Sequence, residues 1–341
     1  MNKHIFALII ILTCYQLSYT GGKIQFSAAP SFGYNFGKTE YILEVRGTLD
    51  SLLGSPRTYT IKSQLEYPLD VAMAGFNLHL FPVNDHSLWS VTAGIFTNLN
   101  NPGGIMKDSD WQELNGFFDL TKFSYTESKA EMSSFVLNLE ASYRIIKFQP
   151  VSVSLLAGLR YQKIKQDVIG YEGWQRPFDS SLFVLKDPVT ISGSGKVLYY
   201  EITFKQPQIG LLTKLDFNSY FFIDIKTVYT PVFYNDLDDH ILRNKLSISD
   251  GSGNGFIASV TTNYQFRTNK KVRPFIGFTT EIITLSASGS QVQKWYDDET
   301  YTDPNTNNPV IIVPKGTAIG GIPHEITNTQ YRISFKAGFI F

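Results

Sequence analysis

Apolar and polar residues alternate along most of this chain, and an alternation with a period of two predicts β-strands rather than helices. The clearest examples are the segments 134–145, 221–229 and 331–341. In each of them one face is apolar, whereas the other carries charged residues such as Glu140 and Lys336. Such strands fit a soluble sandwich with a solvated outer face, and they also fit a barrel whose polar lumen lies behind a lipid-facing wall.

The lengths of the connections favour the barrel. The ten predicted strands cover residues 23–47, 58–81, 88–99, 129–146, 151–168, 197–216, 220–234, 255–267, 272–296 and 323–341. Four connections are short, and the five long ones are 48–57, 100–128, 169–196, 235–254 and 297–322. An even number of antiparallel strands with short turns at one end and long loops at the other is typical of outer-membrane barrels. Because several strands exceed the ~10 residues that cross a bilayer, the sequence predicts an all-β fold, a ten-stranded antiparallel transmembrane β-barrel that extends above the outer membrane.

The first 20 residues have the composition of a secretory signal peptide, with Lys3 before an apolar run and small residues before Gly21. We therefore expect a signal peptide at residues 1–20 and a single β-barrel domain at residues 21–341. Removal of Cys14, the only cysteine, would exclude disulfides and cysteine-based catalysis from the mature chain. A lipoprotein anchor at Cys14 is the weaker alternative.

The overall charge argues against a nucleic-acid partner. The chain has 30 basic and 30 acidic residues, so it has no basic field that would attract a phosphate backbone.

The candidate chemistry lies in two acidic motifs that fall in the second and fourth long loops. One contains Asp108 and Asp110, and the other contains Asp236, Asp238 and His240. In extended backbone, alternate residues project to one side about 6.5 Å apart, so a carboxylate in the second motif can orient its histidine. Long loops share one end of a barrel, and four strands of ten separate these two. The sequence therefore predicts that the motifs face each other across a groove at the barrel mouth.

These motifs resemble those of the omptin family of outer-membrane endopeptidases. The similar segments extend over nearly the whole predicted mature chain and are 37–39 (Gly-Lys-Thr), 63–66 (Ser-Gln-Leu-Glu), 104–111, 236–240 and the amphipathic C-terminal strand. The resemblance implies that Asp108 with Asp110 forms one catalytic couple and Asp238 with His240 the other. It also implies that Asp236 helps to bind a basic substrate side chain.

The activity implied by the resemblance is that of an aspartic-type endopeptidase, which cleaves next to basic residues without a metal ion. The residues suit this chemistry, because His240 oriented by Asp238 can accept a proton from an attacking water. Asp108 and Asp110 are like charges close together, so one of them can keep a proton and donate it to the carbonyl oxygen. Ser109 lies between them and would point away from both.

The resemblance further implies an acidic pocket for the substrate side chain. The family carries a Glu on strand one, and here Glu40 is the expected counterpart, although the ungapped position is occupied by Tyr41. A one-residue shift would place the side chain on the other face of the strand. Glu127 is expected to supply the acidic residue that the family carries in the second long loop.

The resemblance also implies that activity depends on lipopolysaccharide. No other cofactor is expected. Arg160, Tyr161 and Lys163 offer suitable groups for it, whereas Thr203 stands where a basic residue would be expected and would alter the dependence. The expected partners are therefore peptide or protein substrates with basic residues, together with lipopolysaccharide and outer-membrane lipid. The expected location is the outer membrane, with the active site facing outside.

Other interpretations stay open from the residues alone. The acidic motifs could be solvated turn residues, and the segment 236–239 could bind calcium. A catalytically inactive barrel could act as an adhesin or binding surface. A porin is disfavoured, because ten strands leave a narrow lumen.

Overall fold

The structure, a computed structural model, describes residues 24–49, 57–82, 88–114, 118–179, 184–268, 271–302 and 309–341. The predicted signal peptide and Cys14 lie outside these residues. Within them, no helix is both long enough and apolar enough to cross a membrane.

Strands make up nearly all of the described chain. In chain order they are β1 (Ile24–Leu49), β2 (Arg57–Pro68), β3 (Val71–Pro82), β4 (Trp89–Asn98), β5 (Met106–Leu114), β6 (Phe118–Phe148), β7 (Val151–Gln175), β8 (Phe178–Asp179), β9 (Val184–Leu185), β10 (Val189–Asp216), β11 (Phe221–His240), β12 (Lys245–Gln265), β13 (Arg273–Trp295), β14 (Glu299–Thr302), β15 (Pro309–Val313) and β16 (Ala318–Ile340). A single turn of 3₁₀ helix, η1 (Ile241–Arg243), joins β11 to β12.

Ten of these strands close into an antiparallel ring. The order is β1, β3, β4, β6, β7, β10, β11, β12, β13 and β16, and the ring closes where β16 pairs with β1. At one end of the ring, β2 pairs with β1 and β5, and β5 pairs with β6. Above β3 and β4, which are the second and third strands of the ring, β2 and β5 therefore continue the wall of the barrel. The predicted ten-stranded antiparallel transmembrane β-barrel is confirmed.

The outer wall of the ring is apolar over its lower part. Exposed apolar residues occur on every strand of the ring and include Phe32, Phe76, Ile95, Leu139, Leu155, Ile209, Ile225, Phe256, Phe278 and Phe335. In β11, the exposed apolar positions end at Phe233. An outward apolar band of this kind suits contact with lipid, and the segment that follows Phe233 stands above it.

Charged side chains fill the lumen behind the apolar band. Five of them, from five strands, form a connected group that we call the lumen brace: Glu140, Arg160, Lys226, Glu281 and Arg332. Glu281 accepts a hydrogen bond from Arg332 at 2.5 Å and lies 3.8 Å from both Arg160 and Lys226. Lys226 also donates to Glu140 at 2.7 Å. The brace links opposite walls of the barrel, so the polar faces predicted from the sequence are used in ion pairs across the lumen.

Several predicted long loops are largely strand, and two of them illustrate this. Most of 100–128 belongs to β5 and β6, and most of 235–254 belongs to β11 and β12. Above the apolar band the two faces no longer contrast, because the inner face is polar and the outer face mixes polar residues with apolar ones such as Leu237 and Ile248, which resembles loop composition. The glycines illustrate this, since a Cβ at Gly251 or Gly289 would lie within 2.5 Å of the Tyr234 hydroxyl oxygen. Glycine here allows close packing on Tyr234 within a paired strand, rather than a turn.

Candidate active site

The end of β11 presents three functional groups to the lumen. Asp236 and Asp238 are buried, and the side chain of His240 is 19% exposed at the mouth. Strand alternation accounts for their common direction, since β11 is paired on both edges through His240. The Nε2 atom of His240 lies 3.0 Å from Oδ2 of Asp238. This distance allows the carboxylate to orient the imidazole.

The second acidic motif lies on β5, in the opposite wall. Asp108 and Asp110 occupy one face of this strand, and Asp110 is hydrogen-bonded by Ser63 of β2, its cross-strand partner. In ring order, β5 is reached from β11 through β10, β7 and β6, which is the separation predicted from the sequence. Ser109 projects to the other face, where it accepts a hydrogen bond from Lys122 at 3.1 Å.

The two motifs influence each other electrostatically. Burial, the neighbouring charge of Asp110 and then the charge of Asp238 raise the pKa of Asp108 well above its ordinary value. Burial also raises the pKa of Asp110, against the opposing effects of Ser63 and of His240 across the groove. Like charges in a buried site resist ionising together, so this arrangement favours one retained proton on the β5 pair. We call these five residues, Asp108, Asp110, Asp236, Asp238 and His240, the mouth cluster.

Two carboxylate oxygens of the mouth cluster are buried without a hydrogen bond to any described residue. They are Oδ1 of Asp108 and Oδ1 of Asp238, one on each side of the groove. Buried acceptors normally have donors, so these two atoms are available to a water molecule or to a substrate N–H.

A layer of aromatic residues, which we call the tyrosine floor, lies beside Asp236. It comprises Tyr41, Tyr67, Tyr200 and Tyr234, which come from four different strands and are all buried. The rings of Tyr67 and Tyr200 stack with centroids 4.2 Å apart. The Tyr234 hydroxyl lies 2.7 Å from Nε2 of His324, whose ring stacks on Tyr41. No single segment of the sequence contains this layer, so it was not predicted.

Asp236 is held between the tyrosine floor and β12. Its carboxylate accepts hydrogen bonds from the hydroxyls of Ser249 and, at 3.4 Å, Tyr200. Burial, followed by the charge of Asp238, raises the pKa of Asp236 to about 8. Near neutral pH this carboxyl is therefore mostly protonated, and an approaching cation would favour the ionised form.

The structure does not bring Glu40 to the mouth cluster. Strand parity directs Tyr41 inward and Glu40 outward, where Glu40 lies 2.6 Å from Lys38 and accepts a hydrogen bond from Thr327 at 3.0 Å. The one-residue offset between Glu40 and the family position therefore places the carboxylate on the outer face of β1, as strand alternation requires.

Glu127 is also directed away from the groove. The register of β5 and β6 pairs Thr126 with Asp108, and Glu127 with Lys107 on the other face. Glu127 accepts a hydrogen bond from the Tyr125 hydroxyl at 2.5 Å. The acidic residues that the structure does bring to the groove are therefore those of β5 and β11.

Basic groups lie at the turn beside His240, a feature that the sequence analysis did not identify. Arg243 donates to Glu299 at 2.7 Å, and the indole of Trp295 donates to the same carboxylate at 2.6 Å. Lys245 begins β12 as the cross-strand partner of His240. Arg243 and Lys245 therefore add positive charge to a mouth whose predicted motifs are acidic.

The acidic segment of β11 does not form a metal cage. Asp239 projects outward, where it accepts a hydrogen bond from the Tyr296 hydroxyl at 3.2 Å. The described residues include no group of three or more His, Cys, Asp or Glu residues placed to hold a metal ion. The metal-free mechanism stays a prediction.

Comparison with known proteins extends the resemblance found in the motifs. The family model described as the omptin family matches residues 58–309. The outer membrane protease OmpT from Escherichia coli has a similar structure, with a TM-score of 0.63 and 17% sequence identity, over 93% of this chain and 96% of that chain. The in-vitro-folded outer membrane protein OmpT of Vibrio cholerae matches at a TM-score of 0.15 and 10% identity, over 91% of this chain and 99% of that one. No curated protein matches the sequence. The family model covers most of the chain, and the chain therefore belongs to the omptin family.

Proposed function

We propose that this protein is an outer-membrane endopeptidase in which the mouth cluster activates a water molecule. The observation that carries the proposal is the Asp238–His240 contact of 3.0 Å, opposite two carboxyls with raised pKa values. A general base oriented by a carboxylate and an acid that keeps its proton are the two groups that peptide hydrolysis needs.

The proposed reaction involves no covalent intermediate. A water molecule between the walls donates a hydrogen bond to Nδ1 of His240, because Nε2 is held by Asp238. The water attacks the peptide carbonyl carbon, and its proton moves to Nδ1. The protonated carboxyl of the β5 pair donates a hydrogen bond to the carbonyl oxygen, on which negative charge develops. When the C–N bond breaks, His240 returns the proton to the leaving amine. The unpartnered oxygens of Asp108 and Asp238 support a water site in this position.

The proposed substrates have a basic residue beside the scissile bond. The groove contains four carboxyl groups, and Asp236 is the one beside the tyrosine floor. A lysine or arginine side chain next to Asp236 would stabilise its carboxylate and could contact aromatic faces. We leave Glu40 and Glu127 out of this pocket, since their contacts lie on the outer face.

The apolar band supports a location in the outer membrane, and the mouth cluster would lie above it, open to the outside. A dependence on lipopolysaccharide remains part of the proposal, although the residues expected for it divide between the two faces. Arg160 is 2% exposed and belongs to the lumen brace. Lys163 lies on the outer face, 2.5 Å from Glu201, and is the better candidate for contact with lipid.

The test is cleavage of a fluorogenic dibasic peptide by refolded protein, with and without lipopolysaccharide and with EDTA present. We expect cleavage beside the basic residues, resistance to EDTA, and loss of activity in His240→Ala. A wild type that cleaves no peptide under either lipid condition would contradict the proposal. That result would favour a binding or adhesive barrel.

A further inference from the structure

Lys245 lies directly beside the candidate general base. The register pairs it with His240, and the next pair on the same face joins Ser247 to Asp238. Residues that are directly opposite in an antiparallel pair project to the same face, with Cβ atoms about 5 Å apart. The side chain of Lys245 therefore faces the groove alongside the imidazole.

Lys245 is a buried residue whose ammonium is not paired with any described group. The residue is 6% exposed, and its ammonium has neither a hydrogen bond nor a carboxylate within 4.0 Å among the residues that the structure describes. Glu299, the carboxylate of the adjacent turn, is engaged by Arg243 and Trp295. A largely buried lysine without an ion pair is costly to keep charged, and such groups are concentrated at functional sites.

Charged groups surround Lys245 from both walls of the groove and from the adjacent turn. They are Asp110 and Asp108 on β5, Asp238 and His240 on β11, Arg243 on η1 and Glu299 on β14, and β13 contributes Trp295. Burial and then the charge of Arg243 lower the pKa of Lys245 to about 8, while Asp238, Glu299 and Asp110 oppose the shift. The side chain is therefore a cation near neutral pH and lies within the field of both walls of the groove.

We propose that Lys245 stabilises the negative charge that develops on the carbonyl oxygen of the scissile bond, an inference that rests on the proposed function. As the bond from water to carbon forms, the carbonyl π electrons move to oxygen, and the ammonium donates a hydrogen bond to that oxygen without transferring its proton. The electron pair returns to carbon when the amine leaves. Lys245 would then be a second donor, from β12, beside the acid of β5. Fixed donors aimed at developing charge are typically worth roughly 10²–10³-fold in rate.

The first test compares Lys245→Met with Lys294→Met. Lys294 lies one residue before Trp295 at the same end of the barrel but is exposed on the outer face, so its substitution removes the same charge outside the groove. We expect Lys245→Met to lower kcat for a dibasic peptide at least tenfold with KM within threefold, and Lys294→Met to leave both unchanged. A kcat in Lys245→Met within threefold of that in Lys294→Met would overturn the inference. Heat-modifiable migration on gels verifies that both variants are folded.

The pH profile distinguishes an electrostatic role from a packing role. Wild-type kcat should fall above about pH 8 as Lys245 loses its proton. Lys245→Arg should keep part of the activity and should move this alkaline limb upward, because a guanidinium stays charged. Asp236 titrates in the same range but is intact in this variant. An unmoved alkaline limb in an active Lys245→Arg enzyme would count against the inference.

A binding measurement keeps this inference separate from the proposed function. A dibasic peptide with a phosphinate at the scissile position carries an anionic tetrahedral group, whereas its reduced-amide analogue does not. Lys245→Met should weaken phosphinate binding at least tenfold and reduced-amide binding less than threefold. Equal weakening of both would refute the role of Lys245 even in an active enzyme. If the wild type cleaves nothing yet shows the phosphinate difference, the proposed function fails and the anion-stabilising role of Lys245 stands.

Discussion

The lumen brace and the mouth cluster are both buried groups of charged residues, but their charges are arranged in opposite ways. In the brace, Glu281 lies against two arginines and a lysine. In the mouth, carboxyls face other carboxyls, and Asp108 and Asp238 each keep an unpartnered oxygen. Unpartnered Nε atoms occur in the brace too, but they belong to Arg160 and Arg332, which lie against Glu281. Pairing offsets the cost of burial in the first group. In the mouth cluster the cost of burying like charges is partly retained, as expected for a site that must bind water and substrate.

We infer from this difference that the lumen brace stabilises the fold and that the mouth cluster serves the chemistry. Removing a member of the brace should reduce stability and leave the chemistry intact. Removing a member of the mouth cluster should do the reverse, since functional groups are often not optimal for stability.

The largest effect is expected in the Asp238–His240 couple. Asp238→Asn keeps the size of the side chain but loses the carboxylate that orients His240, so we expect kcat to fall about 10²–10⁴-fold. Peptide cleavage is the measurement, and thermal unfolding in detergent is the control, with a midpoint at or above the wild-type value. A folded Asp238→Asn enzyme with wild-type kcat would contradict the catalytic role of the mouth cluster.

The brace should show the opposite behaviour. Glu281→Ala leaves Arg160, Arg332 and Lys226 without their shared carboxylate, and breaking a buried ion pair typically costs about 3–5 kcal/mol. We expect a clearly lower midpoint in urea unfolding and an unchanged kcat in the folded fraction. Glu44→Ala is the matched control, because Glu44 pairs with Arg46 on the exposed surface and should cost less than about 1 kcal/mol. Equal losses in the two variants would mean that the brace contributes little.

Asp236 should affect both stability and substrate binding, each moderately. Its folded-state pKa of about 8 lies above the ordinary value of 3.8, so ionisation is harder in the folded state, and stability should fall as pH rises from about 4 through 8. Asp236→Asn should reduce that slope, to which Asp108 and Asp110 also contribute, and should raise KM for basic peptides roughly tenfold, the loss of one charged hydrogen bond. Thermal midpoints at several pH values and KM for lysine against alanine substrates test these expectations. A variant that keeps the wild-type slope would assign it to another group.

The smallest effect is expected at Glu40. Its outward contacts predict that Glu40→Gln changes kcat/KM less than about twofold, as for a typical surface substitution. Tyr41→Ala is the matched neighbour on the inner face and should alter activity much more, because it opens the tyrosine floor. A larger loss in Glu40→Gln than in Tyr41→Ala would reverse the assignment of the two faces.

The sequence was sufficient to predict the ring and its two acidic motifs, because both depend on local alternation and on loop order. It was not sufficient for the tyrosine floor, since Tyr67 and Tyr200 meet only through pairing between distant strands. The upper ends of β11 and β12 were predicted to be loop for a related reason. Above the apolar band, β11 and β12 lack the contrast between faces on which periodicity depends, although their backbones are fully paired.

The position of Glu40 shows the limit most clearly. Motif similarity places it near the family's acidic residue, but a single residue of offset decides which face of β1 carries the carboxylate. Only the register with β2 and β16 fixes that choice. Lys245 is the converse case, because it has no motif of its own and becomes informative only as the cross-strand partner of His240.

The pairing of β1 with β16 also has a consequence for assembly. Ser31 of β1 donates a hydrogen bond to the backbone of Phe335, 304 positions later, so the seam cannot form until nearly all of the chain has been delivered. Until then β1 and the last strand delivered expose unpaired backbone groups, which can associate with other chains. Contacts this distant in sequence also slow folding. The barrel therefore needs protection of two open edges during its biogenesis, and loss of β16 would make that exposure permanent.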